Sequence, residues 1–209
     1  FGALEFAYSQ VARRAGIRVP ETRLFETAAG ERFFGVRRFD REGFRRRHVH
    51  TFGNLIHADF RLPSCDYRDL LTVTQRLTRH HESLRQAFLL MAFNVASHNR
   101  DDHAKNFAFL MDRESSWRLA PAYDLTFAEG PGGEHMTSVA GEGRAPGRGH
   151  LLSLGAAVGL ERAEAGTLID RVVEAVSGLE EEAREHGVSA GLRREVARAT
   201  GPCVAGLRG

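Results

Sequence analysis

The polar run His98-Asn99-Arg100-Asp101-Asp102-His103-Ala104-Lys105-Asn106 decides how this chain folds. In front of it, Leu84, Phe88, Leu89, Met91, Ala92 and Val95 leave almost no polar face on a helix expected over residues 82–96. Such a helix belongs inside a core. Behind it, residues 107–111 and 117–120 read as two strands joined by a turn. A dense set of charges between two buried elements is costly unless the groups are paired or meet a ligand. A polar loop held in this way is where a rigid scaffold presents chemistry.

Within the run, Asp101 and Asn106 are five residues apart. Protein-kinase catalytic loops carry an Asp and an Asn at that spacing. The Asp accepts or orients the proton of the attacking hydroxyl, and the Asn carbonyl oxygen is a hard ligand suited to Mg2+. A second metal-binding carboxylate is expected just after the following hairpin, and Asp124 stands there in Tyr123-Asp124-Leu125. The Asp-x4-Asn pattern alone is weak. The order buried helix, Asp-x4-Asn, hairpin, Asp, glycine-rich loop is specific. The spacing selects Asp101 over Asp102, which is left to cap or brace the loop. His103 or Lys105 can place positive charge near a phosphoryl group. Their plainer readings are a hydrogen-bonded structural histidine and a solvated lysine. For the run as a whole, the plainer reading is an Asn/Asp-rich capped turn.

Outward from this centre, Leu4, Ala7, Tyr8, Val11, Ala12 and Ala15 share one helical face that Gly16 ends. Extended runs at 22–26 and 32–39 surround a turn, giving a first α+β part. Residues 41–47 are basic; a solvated face is the plain reading and contact with an acidic partner the sharper one. Residues 53–64 read as irregular, 67–79 as a helix, and 129–149 as a long glycine-rich loop of the kind that carries function. Helical pieces follow at 151–160 and around Leu168–Val176, and Ser189 can cap a last helix.

With 209 residues, 42% hydrophobic and 27% charged, the chain has the composition of a globular protein with a real core. A net charge of +2 makes no case for nucleic acid by itself. Cys65 and Cys203 are far apart and show no zinc spacing. No membrane span or signal peptide is visible, so the cytoplasm is the default compartment.

The segments Asp101–Phe107 and Leu119–Leu125, with Gly132-Gly133-Glu134-His135 and residues 138–144, resemble the HipA family of serine/threonine kinases, toxins of bacterial toxin–antitoxin pairs. The resemblance runs from about Glu5 to about Leu160. It implies an α+β, protein-kinase-like fold: a partial, β-containing N-terminal lobe and hinge strand over 1–40, and a mainly helical C-terminal lobe over 41–209. It implies ATP and Mg2+ as cofactors, Asp101 as catalytic base, His103 near the phosphates, and Asn106 and Asp124 as metal ligands. Arg37 and Phe39 would meet adenine through their backbone, Asp40 would lie near the ribose, and Lys105 near the phosphates. Glu5 would take the part of the helix glutamate that pairs with a phosphate-binding lysine. The acceptor would be a protein hydroxyl, on an aminoacyl-tRNA synthetase or similar translation protein, and a DNA-binding antitoxin a possible partner. Neither membrane contact nor direct sequence-specific nucleic-acid binding is expected. The family's glycine-rich phosphate loop and ATP-binding lysine precede the first helix and are not in this sequence. The expectation is a part of a longer kinase, the alternative a catalytically incomplete module that binds nucleotide or a partner. A metal-dependent phosphohydrolase built on His98, Asp101, Asp102 and His103 is a third, weaker reading.

Overall fold

The computed structural model describes residues 2–209, so the first residue of the expected 1–40 part lies outside the described residues. The chain opens with helix α1 (Gly2–Arg14), whose Leu4, Ala7, Tyr8, Val11 and Ala12 are buried as their spacing predicts. One side of α1 packs on the antiparallel hairpin β1 (Thr22–Glu26) and β2 (Arg32–Val36). The other packs on α6 (Arg162–Ser177) and α7 (Leu179–Glu185). Arg14 pairs with Glu182 on α7, and the Arg32 guanidinium reaches the His186 carbonyl at 2.6 Å. β2 stops at Val36, three residues before the expected end; the Arg37 N–H still bonds to Glu21, and there the partner strand has run out.

The basic stretch is a small hairpin, β3 (Arg41–Glu42) and β4 (Arg45–Arg46), turned at Gly43 with φ +60°. A three-stranded sheet follows, with β5 (His48–Thr51) at one edge, β7 (Ala108–Met111) in the middle and β8 (Trp117–Leu119) at the other edge. The β7–β8 hairpin is the expected one. β5 went unrecognised because His48-Val49-His50-Thr51 is short and only half-buried. The stretch read as irregular begins with a short helix, α2 (Phe52–Leu55), capped by the Thr51 side chain.

Two helices form the centre. α3 (Tyr67–Thr78) starts at an Asp66/Asp69 capping box and ends at Arg79 in the left-handed region. α4 (His81–Ala96) is buried from Ser83 to its end except at Arg85, as its lack of a polar face requires. α5 (Arg148–Ala157), α6, α7 and α8 (Ala190–Leu207) close the molecule, and Ser189 caps α8 through the Leu192 N–H. α7 had no signal of its own: it follows α6 across Gly178 and exposes Glu180, Glu181 and Glu185 while burying Glu182. The long loop at 129–149 is not free. Within it β9 (Thr137–Ser138) pairs in parallel with β6 (Cys65–Asp66), just before α3.

Candidate active site

The polar run lies between the C-terminus of α4 and β7, beside the chain that follows Asp124. His98 adopts φ +55° and turns the backbone out of α4. From there the two segments are laced together: Ala128 N–H donates to the His98 carbonyl and Arg100 N–H to the Ala128 carbonyl. That lacing brings Asp101 near Asp124, although twenty-three positions separate them.

Asp102 is fully buried and anchors the run. Its Oδ2 accepts from the Tyr67 hydroxyl at 2.7 Å and meets His135 Nδ1 at 2.8 Å, and its Oδ1 accepts from the Thr137 N–H at 3.2 Å. Asn94 on α4 donates to the Tyr67 hydroxyl at 2.8 Å and accepts from Asn99 at 3.1 Å. One carboxylate therefore joins α3, α4, the polar run and the long loop. Asp66 is a second anchor, accepting from Ser138 at 2.8 Å and the Gly141 N–H at 2.7 Å.

With Asp102 turned inward, Asp101 is left exposed. Burial, despite that partial exposure, and the charges of Asp124 and Asp102 hold its carboxyl above the ordinary range, against the opposing pull of His103. Glu5 on α1 is raised as well, by burial and then by Asp124. Asp124 thus acts as a like charge on both Asp101 and Glu5, a repulsion that a bound cation would relieve. Asn106 lies five residues beyond Asp101. Its amide nitrogen donates to the Asp101 carbonyl at 2.8 Å, and its Oδ1 accepts no hydrogen bond among the described residues, which leaves a hard oxygen donor available. Asp124 is exposed, with φ +58°.

Lys105, the chain's single lysine, lies with its ammonium 3.3 Å from the centroid of the Phe60 ring. His103 meets the same ring edge-on at 5.7 Å, and its buried Nδ1 has no partner among the described residues. The Tyr123 hydroxyl donates to the Lys105 carbonyl, and its ring packs on Phe39 at 5.5 Å. This contact links the residue before Asp124 to the expected hinge. There the Arg37 N–H is spent on Glu21, whereas the Arg37 carbonyl and both backbone groups of Phe39 make no hydrogen bond among the described residues. Asp40 is held by Arg38 at 2.6 and 2.8 Å and Arg41 at 3.4 Å, and the bond from Arg38 holds its carboxyl low.

His98, Asp102 and His103 diverge. His98 faces Cys203 at 3.6 Å and Glu129 at 3.3 Å, Asp102 is engaged inside, and no three His, Cys, Asp or Glu side chains among the described residues gather to hold a metal. This geometry speaks against the phosphohydrolase reading. A Mg2+ ion held by one carboxylate, one amide oxygen and substrate oxygens needs no such group. Sequence reasoning gave no part in the site to Tyr67, Asp66 and Phe60, brought in from distant segments, or to Asn94, five residues before Asn99, and it did not foresee that His135 and Thr137 bond to Asp102. The one available signal was the polar Asn94 in an otherwise apolar helix.

A family model described as the HipA-like C-terminal domain matches residues 1–179. The chain belongs to that family. No curated protein matches its sequence. Among solved structures, HipA of the Shewanella oneidensis MR-1 HipA, HipB and operator DNA complex superposes with a TM-score of 0.76 at 16% identity, covering 97% of this chain and 54% of that one. The Helicobacter pylori proinflammatory kinase CtkA superposes with a TM-score of 0.54 at 12% identity, covering 94% of this chain and 89% of that one. The fold is therefore the mixed α/β, kinase-like one expected, and this HipA-like domain spans about half the length of the Shewanella HipA chain. No described helix is long and apolar enough to cross a membrane.

Two outcomes follow from the loop and its base. Gly130 sits at φ +70°, where a Cβ would run into the Glu134 carbonyl and come within 2.7 Å of Arg100 Cβ. Gly130→Ala should cost about 1–3 kcal/mol, seen in urea melts, with faster amide exchange over residues 130–136. His98 is buried, and that burial, followed by the charge of Arg100, lowers its pKa despite Glu129. Because the folded value lies below the unfolded one, its contribution is present above about pH 6.5 and is lost as pH falls through the folded value. His98→Asn, which tolerates the left-handed backbone, should flatten the fall in stability over that window.

Proposed function

We propose that this domain is the catalytic part of a HipA-type serine/threonine kinase, transferring the γ-phosphoryl of Mg·ATP to a protein hydroxyl. The observation that carries the reading is the bond from the Asn106 amide to the Asp101 carbonyl. It ties Asn106 to Asp101 across one turn and leaves Asn106 Oδ1 without a hydrogen bond among the described residues, while the charge of Asp124 is felt at Asp101. Asp101 would hold the acceptor hydroxyl and take its proton. Asn106 and Asp124 would hold Mg2+, whose chemistry is to neutralise the phosphate oxygens. His103 would add charge at the phosphates once its unpartnered Nδ1 finds an acceptor. Lys105 would serve there by leaving the Phe60 ring. The free backbone groups of Arg37 and Phe39 suit the two-point contact of an adenine edge, and Asp40 would meet the ribose after releasing Arg38. The rate would come from positioning and charge.

The Shewanella HipA structure contains HipB and operator DNA, and by that likeness a DNA-binding antitoxin is proposed as a partner here. A translation protein such as an aminoacyl-tRNA synthetase is proposed as acceptor from the family resemblance. The test is radiolabelled phosphoryl transfer by the full-length gene product, beside calorimetry of nucleotide binding with and without Mg2+. Transfer that needs Mg2+ and is lost in Asp124→Asn is the expected result. Mg-dependent nucleotide binding with no transfer to any protein would establish the catalytically incomplete module instead.

A further inference from the structure

A cleft of about 710 Å3 lies at the end of the β5–β7–β8 sheet opposite Phe107 and Asn106, between the β3–β4 hairpin, the 112–116 turn and the chain after α1. Its volume is in the range of ligand-binding clefts. Six arginines line it, Arg18, Arg45, Arg46, Arg47, Arg113 and Arg118, against two carboxylates, Glu42 and Asp112. The whole chain carries only +2, so the positive excess of this one cleft is larger than that of the entire molecule.

That charge is not neutralised from within. Glu42 is taken by Arg47 at 3.1 Å, and Asp112 Oδ1 accepts the N–H groups of Glu114 and Ser116. The other five arginines form no ion pair among the described residues; Arg118 reaches only the Trp117 carbonyl. Gathering like charges this way is unfavourable until a polyanion releases its counterions on binding. At the hairpin tip Phe44 stands wholly out of the protein, 106% exposed, next to Arg45. One exposed ring means little alone. An exposed ring on the same hairpin as Arg45 and Arg46, which line the groove, is the combination that takes single-stranded nucleic acid, with phosphates on the cations and a base on the ring.

An acidic peptide is the rival occupant. Extended peptides commonly dock by adding to a strand edge. Here the edge strand β8 packs on α3 and α4 with its Leu119 N–H on Ser83 Oγ at 3.3 Å, and the remaining edges, on β5 (four residues) and on β3 and β4 (two residues each), offer only a short ladder. Charge and an aromatic face are the larger features. We propose that this cleft binds single-stranded nucleic acid without sequence preference, through Arg45, Arg46 and Arg113 on phosphates and Phe44 against a base.

The test is fluorescence anisotropy with a labelled oligouridylate of about 12 nucleotides in the absence of ATP, so its result is independent of the kinase reading. Binding should weaken with salt with a log–log slope of about −2 or steeper. The Arg45→Glu/Arg46→Glu/Arg113→Glu variant should lose at least about tenfold in affinity, and Phe44→Ala about tenfold. Arg194→Glu/Arg198→Glu, on the exposed face of α8, should change nothing. If circular dichroism shows the triple variant unfolded, Arg45→Glu alone reads the same contact, with a smaller loss expected. The proposal is overturned by absence of binding at low salt or by binding that survives charge reversal. It is equally overturned if a glutamate-rich peptide displaces the oligonucleotide while Phe44→Ala has no effect; the cleft would then be a peptide groove.

Discussion

Asp101→Asn is expected to reduce phosphoryl transfer by about 10^2- to 10^4-fold while the protein melts no lower than wild type. The two halves of this result have one cause. Burial, and then the charges of Asp124 and Asp102, raise the Asp101 carboxyl. A carboxyl raised in the folded state contributes most below its ordinary pKa, and that contribution is lost as pH rises through the raised value. At neutral pH the ionised group is thus a burden on the fold, and the amide removes it. Any gain in melting temperature should therefore appear above the carboxylate range and vanish in acid. Asn106 still has the Asp101 backbone carbonyl to bond, because the substitution leaves the main chain unchanged. Retained transfer in Asp101→Asn would remove Asp101 as base. Lost transfer with a lowered melting temperature would point to misfolding rather than chemistry.

The neighbouring residue should behave in the opposite way. Asp102→Ala strips a fully buried carboxylate of its three side-chain contacts, leaving the Tyr67 hydroxyl, the His135 ring and the Thr137 N–H without their acceptor. Breaking such a buried network costs about 3–5 kcal/mol, and at this chain length about 10 °C or more in melting temperature. Calorimetry on the purified domain measures it. Asp102→Asn keeps the shape and one acceptor oxygen and should recover part of the loss. Activity would fall in Asp102→Ala too, but with the fold and not ahead of it. An Asp102→Ala protein that melts like wild type would show that the four-way junction is not what holds the polar run.

Adjacent aspartates with opposite fates show what was readable in the sequence. The distance from Asp101 to Asn106 separated the outward residue from the bracing one, because backbone spacing along a short loop is local information. Local signals also sufficed for α1, β1, α3, α4, the β7–β8 hairpin and the Ser189 cap. Residues whose role depends on distant partners were not readable. Nothing near Tyr67 announces that its hydroxyl meets Asp102, and nothing near Phe60 announces that it lies under Lys105. The loop at 129–149 was recognised from its glycines, but its anchorage depends on Asp66, more than seventy positions away. Short edge pieces such as β5 and β3–β4 lack the alternation that would mark them, and α7 was hidden in the charge run after α6.

Lys105 has a practical consequence. Every other basic side chain of the Lys/Arg kind here is an arginine, so an acylating reagent such as an active ester meets one side-chain amine, at the candidate site. Lys105 is exposed with its ammonium resting over the Phe60 ring, so its acylation rate should fall when nucleotide covers it. Peptide mass mapping could then follow occupancy of the site by nucleotide through one modified tryptic fragment, without a fluorescent probe or an engineered cysteine.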